Sequence, residues 1–540
     1  MKGQVSSARM VGRVYLVGAG PGDPELITER GARRLREADL VLYDALVHPS
    51  ILAHAAQAEQ VFVGKRAGRP SERQHEINER MIDAARAGQC VVRLKGGDPY
   101  LFGRGSEEAE ALHDAGIAFE VVPGVPSPLA ATAYAGISLT HRTLSSSVAY
   151  VTATESPEKD RSSHDWSKLA TATETLVIFM GLHRVASLMA LLIEHGRSRD
   201  APAAVISRAS TPDQETLVGT VETLPALLAA RPLPTPALIV VGDVVSLRRQ
   251  LRWYDEGPLF GARVLVTRPE GQGDGLAQRL RDAGAEPILV PAIAIGPPTD
   301  PAPLAHLAST LHQYDWVVLT SKNGVDALFA SLEARGRDAR ALGAAKVLAI
   351  GTATAAALRA HGVRADRVPT EFRGEAAAQA LIDELGEGIR AARIALPRAE
   401  IARDVLPDSL RAAGATVDVI PVYRNLPRPE DQARIAELLM SDAIDVITLT
   451  APSTLESVLS ALRTHGGDEA LLARVLCASI GPVTTEAARR AGVRVDVTAS
   501  PYTADGLFAS LLAHAQRKER PWQDAARRRA RVRATFGAAP

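Results

Sequence analysis

The stretch VYLVGAGPGDPELITERGARRLREADLVLYD, from Val14 to Asp44, decides how the first half of the chain is read. An apolar run enters a glycine-rich bend, an amphipathic helical segment follows, and LVLYD supplies a second apolar run. Strand, loop, helix and strand in that order mean an α/β layer structure. The bend invites a dinucleotide-site reading, and its spacing refuses it. Gly18 and Gly20 fill the first two positions of G-x-G-x-x-G, but the third falls on Asp23, where the fingerprint needs glycine for close helix packing. Pro21 also removes a backbone N–H where a pyrophosphate would seek donors. The bend is therefore built for another ligand.

Working outward, the same rhythm continues to about Val245 through VFVG, VVRL, FEVVP, VAYVTAT, TLVIFMG, AAVIS and ALIVVG. The polar DRSSHDWSKLATATE interrupts it as a loop with a short helix. A Gly/Pro-bearing stretch over 251–261 predicts a linker, and the rhythm restarts at ARVLVTRPE. The second half repeats itself. ARVLVTRPEGQGDGLAQRLRDAGAEPILVPAI aligns with ARIALPRAEIARDVLPDSLRAAGATVDVIPVY, and Pro421 lies 130 residues after Pro291. Gly351 and Gly481 keep the same offset, as do GVRAD at Gly362 and GVRVD at Gly492. Such self-similarity predicts two lobes of one fold, each a parallel sheet with flanking helices. A cleft between them would be lined by TSKN, GTAT, TAPST and GPVT. Those tips offer hydroxyls, amides and helix N-termini, which suit an anionic ligand rich in carboxylates.

The composition narrows the function classes. Lys+Arg and Asp+Glu each number 62, so the whole chain has no net field to draw in nucleic acid or an anionic membrane. Cys90 and Cys477 are the only cysteines, far apart and with no histidine cluster, so neither a disulfide framework nor a metal site is expected. A cytoplasmic location follows as the default. No apolar run is long enough for a membrane span, and MKGQVSSARM has no leader-like apolar core. The basic end, RKERPWQDAARRRARVR, reads as a solvated tail.

Four loops follow apolar runs in the first half: GAGPGDP, YDALV, GKRAGR and RLKGGDPYLFGRG. Each sits where a strand should end, so all four can open onto one crevice. Gly96 and Gly97 let backbone approach a ligand closely, and Asp98 can accept hydrogen bonds from ribose hydroxyls or an amine. Asp44 and Lys65 beside such a crevice could take and give protons. Arg66, Arg69, Arg73, Arg93, Lys95, Arg104, His141 and Arg142 would suit a polycarboxylate.

GAGPGDP, YDALV, VGKR, Q-x-x-I-N (Gln74 to Asn78), VVRLKGGDPYLFGRG, VVPGV, AYAGISLTHR, TLVIFMGL and PALIVVGDVV together resemble the uroporphyrinogen-III C-methyltransferases of the tetrapyrrole methylase family. The resemblance implies a two-lobed α/β fold over 13–250, divided near Pro128 into lobes of about 13–127 and 128–250. It implies transfer of two methyl groups from S-adenosyl-L-methionine to uroporphyrinogen III, giving precorrin-2, with neither metal nor NAD. On the matching positions, the methyl donor would be bound by Pro21, Gly96, Gly97, Asp98, Leu101, Pro126, Ser127, Met180 and Ala209. Asp44 would be the proton acceptor and Lys65 the proton donor, and Arg66 and Arg104 would bind substrate. A homodimer through this half is also implied. Two positions depart from the family pattern. V-P-S-P stands for I-T-S-A or I-T-A-A, and T-A-T (Thr152 to Thr154) stands for T-G-H. They leave a second reading: a synthase-only enzyme, or a tetrapyrrole-binding regulator, with a weakened methyltransferase half.

The doubled region over 262–516 resembles uroporphyrinogen-III synthase in TSKNGV, AIGTATA, VIPVY, SIGPVTTEA and SPYTADGL. That implies closure of hydroxymethylbilane to uroporphyrinogen III. Tyr423 would be the acid, and Ser321, Asn323, Thr354, Ser453, Thr484 and Tyr502 are candidate binders, Ser321 and Thr484 foremost. The whole chain is thus expected to be a two-lobed tetrapyrrole methylase fold followed by a two-lobed α/β synthase fold. A tail precedes residue 13 and another follows 516.

Overall fold

The structure, a computed structural model, describes residues 12–64, 74–154, 164–369, 374–517 and Trp522. The expected terminal tails lie almost wholly outside the described residues. Backbone contacts separate one unit carried by Met1–Ala262 from another built of Arg263–Arg279 and Pro287–Lys518.

The first lobe of the first unit holds β1 (Arg13–Gly18), β2 (Leu40–Tyr43), β3 (Glu59–Phe62), β4 (Cys90–Lys95) and β5 (Phe119–Val122). They form one sheet in the order β3-β2-β4-β1-β5, with every pairing parallel. Val14 to Gly18 are all buried, as expected for a strand covered on both faces. Helix Gln74–Arg86 seals one face through Ile77, Met81 and Ala85, which recur every four residues. The second lobe holds β6 (Val148–Thr152), β7 (Thr175–Phe179), β8 (Pro202–Ser207), β9 (Glu215–Thr220) and β10 (Ala237–Val241), ordered β6-β7-β10-β8-β9. Only β6 and β7 pair in parallel; β10 and β9 run antiparallel to their neighbours. Strand β9, ETLVGT, was absent from the sequence reading. It is a sheet edge joined to β8 by 208–214, too short a connection for a crossover helix, so it can only return antiparallel.

The stretch read as a linker is folded onto this unit. Arg248 and Asp255 form an ion pair in which each side chain is 10% exposed, and Trp253 Nε1 donates to the Ala133 carbonyl at 2.9 Å. Tyr134 meets the rings of Trp253 and Tyr254 at 5.2 and 4.7 Å.

The second unit holds β11 (Arg263–Val266), β12 (Glu286–Leu289), β13 (Ile293–Gly296), β14 (Trp316–Leu319), β15 (Lys346–Ala349), β16 (Arg393–Ala399), β17 (Thr416–Pro427), β18 (Val446–Leu449), β19 (Leu476–Ser479) and β20 (Val497–Thr498). Two sheets result, β12-β11-β18-β19-β20 and β13-β17-β16-β14-β15. The repeat is real, but the expectation of one copy per lobe is overturned. Each lobe joins the first part of one copy to the last part of the other. Val264 pairs with Val446 in one sheet, and Trp316 pairs with Ile394 in the other, the same contact with the copies exchanged. The locking bonds are exchanged too. Asp445 accepts from Arg263 N at 2.9 Å, and Asp315 accepts from Arg393 N at 2.8 Å. The cause is local. Only three residues separate β12 from β13, so the first copy leaves its sheet at Val290–Ala292 and continues in the other. There β13 runs antiparallel to β17, a second departure from the all-parallel expectation.

Candidate active sites

Three of the four loops singled out in the first half, GAGPGDP, YDALV and RLKGGDPYLFGRG, leave the carboxyl edge of the parallel sheet; the fourth, GKRAGR, lies outside the described residues after Gly64. Beyond β1 and β4, Gly20 and Gly97 exchange backbone hydrogen bonds at 3.2 and 2.9 Å. A Cβ on Gly18 would stand 2.5 Å from Gly124 Cα and 2.6 Å from the Gly97 oxygen, so the ends of β1, β4 and β5 converge where only glycine fits. Gly97 has φ +72, and a Cβ there would lie 3.3 Å from Ser127 Oγ, which puts Ser127 beside the same bend. Asp98 braces this crevice: Oδ1 accepts from Tyr100 N at 2.8 Å and Oδ2 from Gly124 N at 3.0 Å. Each oxygen keeps a lone pair for a ligand. Gly96 packs over Leu46, and Leu101 is half-buried in the turn beyond Asp98. Pro126 caps helix Ser127–Tyr134 without a side-chain bond, Pro128 brings no N–H to its first turn, and Leu129 N donates to the Pro126 carbonyl at 3.1 Å.

The second lobe of this unit reaches the same bend. Tyr134 donates to Asp23 Oδ2 at 2.6 Å, Asp23 N donates to Ser210 Oγ at 3.2 Å, and Ser210 Oγ donates to the Pro21 carbonyl. Burial and the Asp23 carboxylate push the Tyr134 hydroxyl well above the usual tyrosine range. A Cβ on Gly22 would meet the Ala209 oxygen at 2.5 Å, which brings Ala209 to the loop as expected. Non-glycine residues with positive φ gather here: Phe102 (+53), Arg104 (+59), Met180 (+52), Arg208 (+48) and Ser210 (+58). Such backbone persists where surrounding structure enforces it, typically at ligand sites. Met180 stands 52% exposed at the end of β7. Next to it, Phe102 packs on Phe179 at 4.7 Å, and Phe102, Tyr150, Thr152 and His164 line a cavity of about 410 Å³. His164 Nε2 lies 2.6 Å from the Thr152 carbonyl, so an imidazole from the following loop adjoins the T-A-T stretch. A larger cavity, about 970 Å³, opens beside β9 and holds none of the expected site residues. The ion-paired Arg231 and Arg248 wall it, and its lining lacks the convergent loops of the crevice.

Beneath the crevice lies a charge cluster that sequence reasoning missed. Glu108, fully buried, accepts at Oε1 from Arg93 Nε at 3.0 Å, Lys95 Nζ at 2.9 Å and Gln74 Nε2 at 3.1 Å. Its Oε2 has no hydrogen-bond partner among the described residues. Arg93 also donates to the Leu42 carbonyl at 3.3 Å and approaches Asp44 Oδ2 at 3.8 Å. Burial, then Arg93, hold the Lys95 amine below the usual lysine range. Asp44 directly follows β2, and its Oδ1 accepts from Leu46 N at 3.0 Å. The GSEEAE run reads as a solvated helix face, so only the fold reveals that Glu108 points inward. Lys65 and Arg66 lie outside the described residues. Arg104, expected to bind substrate, is forked onto Glu107 at 3.0 and 2.6 Å.

In the second unit Tyr423 Oη and Ser321 Oγ lie 3.1 Å apart, and Ser321 caps helix Lys322–Glu333 by accepting from Gly324 N. Gln272, from the loop after β11, donates to Asn323 Oδ1 at 2.8 Å. This bond ties the two lobes at the Tyr423 site. Thr484 and Thr354 are buried at 3% and 4% exposure, while Ser453 is half-buried and Tyr502 exposed. Instead, Thr485 bridges Ser479 and Thr498 by hydroxyl contacts of 2.5 and 2.8 Å. Among the described residues no group of His, Cys, Asp and Glu is arranged to hold a metal ion, and no helix is long and apolar enough to cross a membrane.

A glycine-lined crevice on a parallel sheet, followed by a doubled α/β unit with one tyrosine–serine pair, defines a two-part enzyme. Comparison with known proteins makes the class specific. The model of the tetrapyrrole (corrin/porphyrin) methylases matches residues 13–225, and that of uroporphyrinogen-III synthase HemD matches 274–509. The porphyrin biosynthesis protein HemD of Ruminiclostridium josui is 37% identical over 502 residues, covering 93% of this chain and 98% of that protein. Siroheme synthase 1 of Klebsiella pneumoniae is 50% identical over 247 residues, covering 46% of this chain and 52% of that one, so the chain spans about half the length of the siroheme synthases it matches. The uroporphyrin III C-methyltransferase of Thermus thermophilus is 42% identical, covering 44% of this chain and all of that one, with a TM-score of 0.38. The chain belongs to the family that joins a tetrapyrrole methylase to a uroporphyrinogen-III synthase. It is a bifunctional enzyme, methyltransferase in its first half and synthase in its second.

Proposed function

We propose that the chain closes hydroxymethylbilane to uroporphyrinogen III and then methylates that ring twice with S-adenosyl-L-methionine, giving precorrin-2. The observation that carries the methylation step is the convergence of Gly18, Gly97 and Gly124 beside Asp98 and the exposed Met180. S-adenosyl-L-methionine brings a methyl group already activated as a sulfonium, so alignment is the main demand on the protein. Pro21, Gly96, Gly97, Asp98, Leu101, Pro126, Ser127, Met180 and Ala209 form the adenosyl pocket. Asp44, at the neighbouring strand end, takes the proton that the macrocycle loses. Arg93 reaches to 3.8 Å from that carboxylate, and Glu108 fixes Arg93 from below at 3.0 Å. Lys65 serves as proton donor and Arg66 as a carboxylate contact. The chemistry uses neither metal nor NAD.

In the second half, Tyr423 donates a proton to the departing hydroxyl of hydroxymethylbilane, which leaves as water, and Ser321 orients the phenol. The reaction's other demand is geometric: the lobes must hold a flexible octa-acid so that ring D inverts before closure. We place the enzyme in the cytoplasm, on its two unpaired cysteines, and as a homodimer through its methyltransferase half. Its partners are small tetrapyrroles, not nucleic acid.

The test separates the halves. Calorimetry of the full chain with S-adenosyl-L-methionine should show saturable uptake, and supplied uroporphyrinogen III should then gain two methyl groups. Type III ring formation without methyl-donor uptake would leave the synthase-only reading, for which the uncapped Pro126 end is the supporting feature.

A further inference from the structure

The exchanged repeat provides an internal control for each residue of the second unit, because each position has a counterpart 130 residues away in the same fold. Three positions at the proposed closure site break this symmetry. Tyr423 corresponds to Ile293, and Ser321 to Ala451, so the hydroxyl pair exists on one side only. The third is an arginine. Arg268, just past β11, corresponds to Arg398 at the end of β16.

Their environments differ. Arg398 is used up structurally: Nη1 donates to the Arg403 carbonyl at 2.9 Å, and Nη2 to Asp404 Oδ1 at 2.5 Å. Asp274 is the counterpart of Asp404, yet it makes no ion pair with Arg268. Arg268 has no hydrogen bond or ion pair among the described residues, although it is half-buried and burial lowers its pKa. An unpaired guanidinium taken partly out of water is costly unless an anion comes to it. Nearby carboxylates do not fill that role, since Glu270 is engaged by Arg428 at 2.9 Å. Position points the same way. The loop that begins at Arg268 reaches Asn323 through Gln272, and Asn323 is two residues from Ser321, which touches Tyr423.

We propose that Arg268 binds a carboxylate arm of the open-chain tetrapyrrole and so holds the substrate against the Tyr423–Ser321 pair during ring closure. This rests on the synthase reading of the second half. A guanidinium suits the task because its planar fork matches a carboxylate with two donors. The repeat has thus left one arginine as a staple and the other as a substrate contact.

The test is steady-state kinetics of the full chain with hydroxymethylbilane, with uroporphyrinogen I and III separated by chromatography. R268A should raise KM about 10- to 100-fold, the range of a charge-assisted hydrogen bond, with kcat changed far less. R268K should fall between R268A and the unaltered protein. Methylation of supplied uroporphyrinogen III should be unchanged, and R268Q replaces R268A should the latter fail to fold. An unchanged KM in R268A or R268Q, or a loss confined to kcat, overturns the proposal. Failure of the unaltered chain to form the type III ring would instead overturn the synthase reading itself.

Discussion

Replacing Gly18 with alanine tests the crevice at its tightest point. The added Cβ would lie 2.5 Å from Gly124 N and Cα and 2.6 Å from the Gly97 oxygen, where ordinary contact begins at 3.4 Å. All these atoms are backbone, and none can swing aside as a side chain would. The strand ends must separate by about an ångström, and a misplacement of that size costs roughly 10²-fold in a reaction that depends on alignment. That corresponds to about 2.7 kcal/mol of transition-state stabilisation. Gly18→Ala should therefore lower kcat/KM for methylation of uroporphyrinogen III about 100-fold and weaken uptake of S-adenosyl-L-methionine. Ring closure by the same preparation should be unaffected, which provides a control for expression and handling. Methylation within about threefold of the unaltered enzyme, on the same scale, would mean that methyl transfer does not depend on the Gly18–Gly97–Gly124 convergence.

Tyr423→Phe should lower kcat for ring closure by about 10² or more, the usual worth of a general acid, with little change in KM; unaltered kcat would assign the acid elsewhere. Asp445→Asn should cost about 1–3 kcal/mol, because it weakens a charge-assisted bond to Arg263 N at a site only 3% exposed. Thermal inactivation of the synthase activity reads this, and the exposed counterpart Asp315→Asn should cost clearly less. The Cys477 thiol is fully buried and pushed up to about 12 by that burial, so a thiol reagent at pH 8 should leave it unmodified until the chain unfolds. Rapid labelling of native protein, followed by peptide mass spectrometry, would contradict this packing.

The first lobe was legible because its signals are local. A buried parallel strand is a continuous apolar run, and a loop after it must lie at the sheet's carboxyl edge, so GAGPGDP and RLKGGDP could be placed together without knowing the strand order. Offset similarity likewise exposed the repeat. What the sequence hid depends on pairing between distant segments. Self-similarity says that Trp316 and Val446 are equivalent, but not that each pairs with a strand from the other copy. Glu108 sits in a run of charges whose helix face is decided only when Arg93 and Lys95 turn toward it. The Trp253–Tyr254 segment read as a linker because Gly257 and Pro258 follow it, while its anchor, Tyr134, is over a hundred residues away. The left-handed backbone at Met180 and Ser210 carries no mark in the sequence, although the motif around Met180 does.

The central claim is that one chain performs both reactions in series, and a single incubation tests it most directly. Purified protein would be given hydroxymethylbilane and S-adenosyl-L-methionine under anaerobic conditions, and its products weighed by mass spectrometry. The expected product is a type III macrocycle carrying two added methyl groups, with the donor converted to S-adenosylhomocysteine. An unmethylated ring, or a methylated product obtained only when preformed uroporphyrinogen III is supplied, would contradict it.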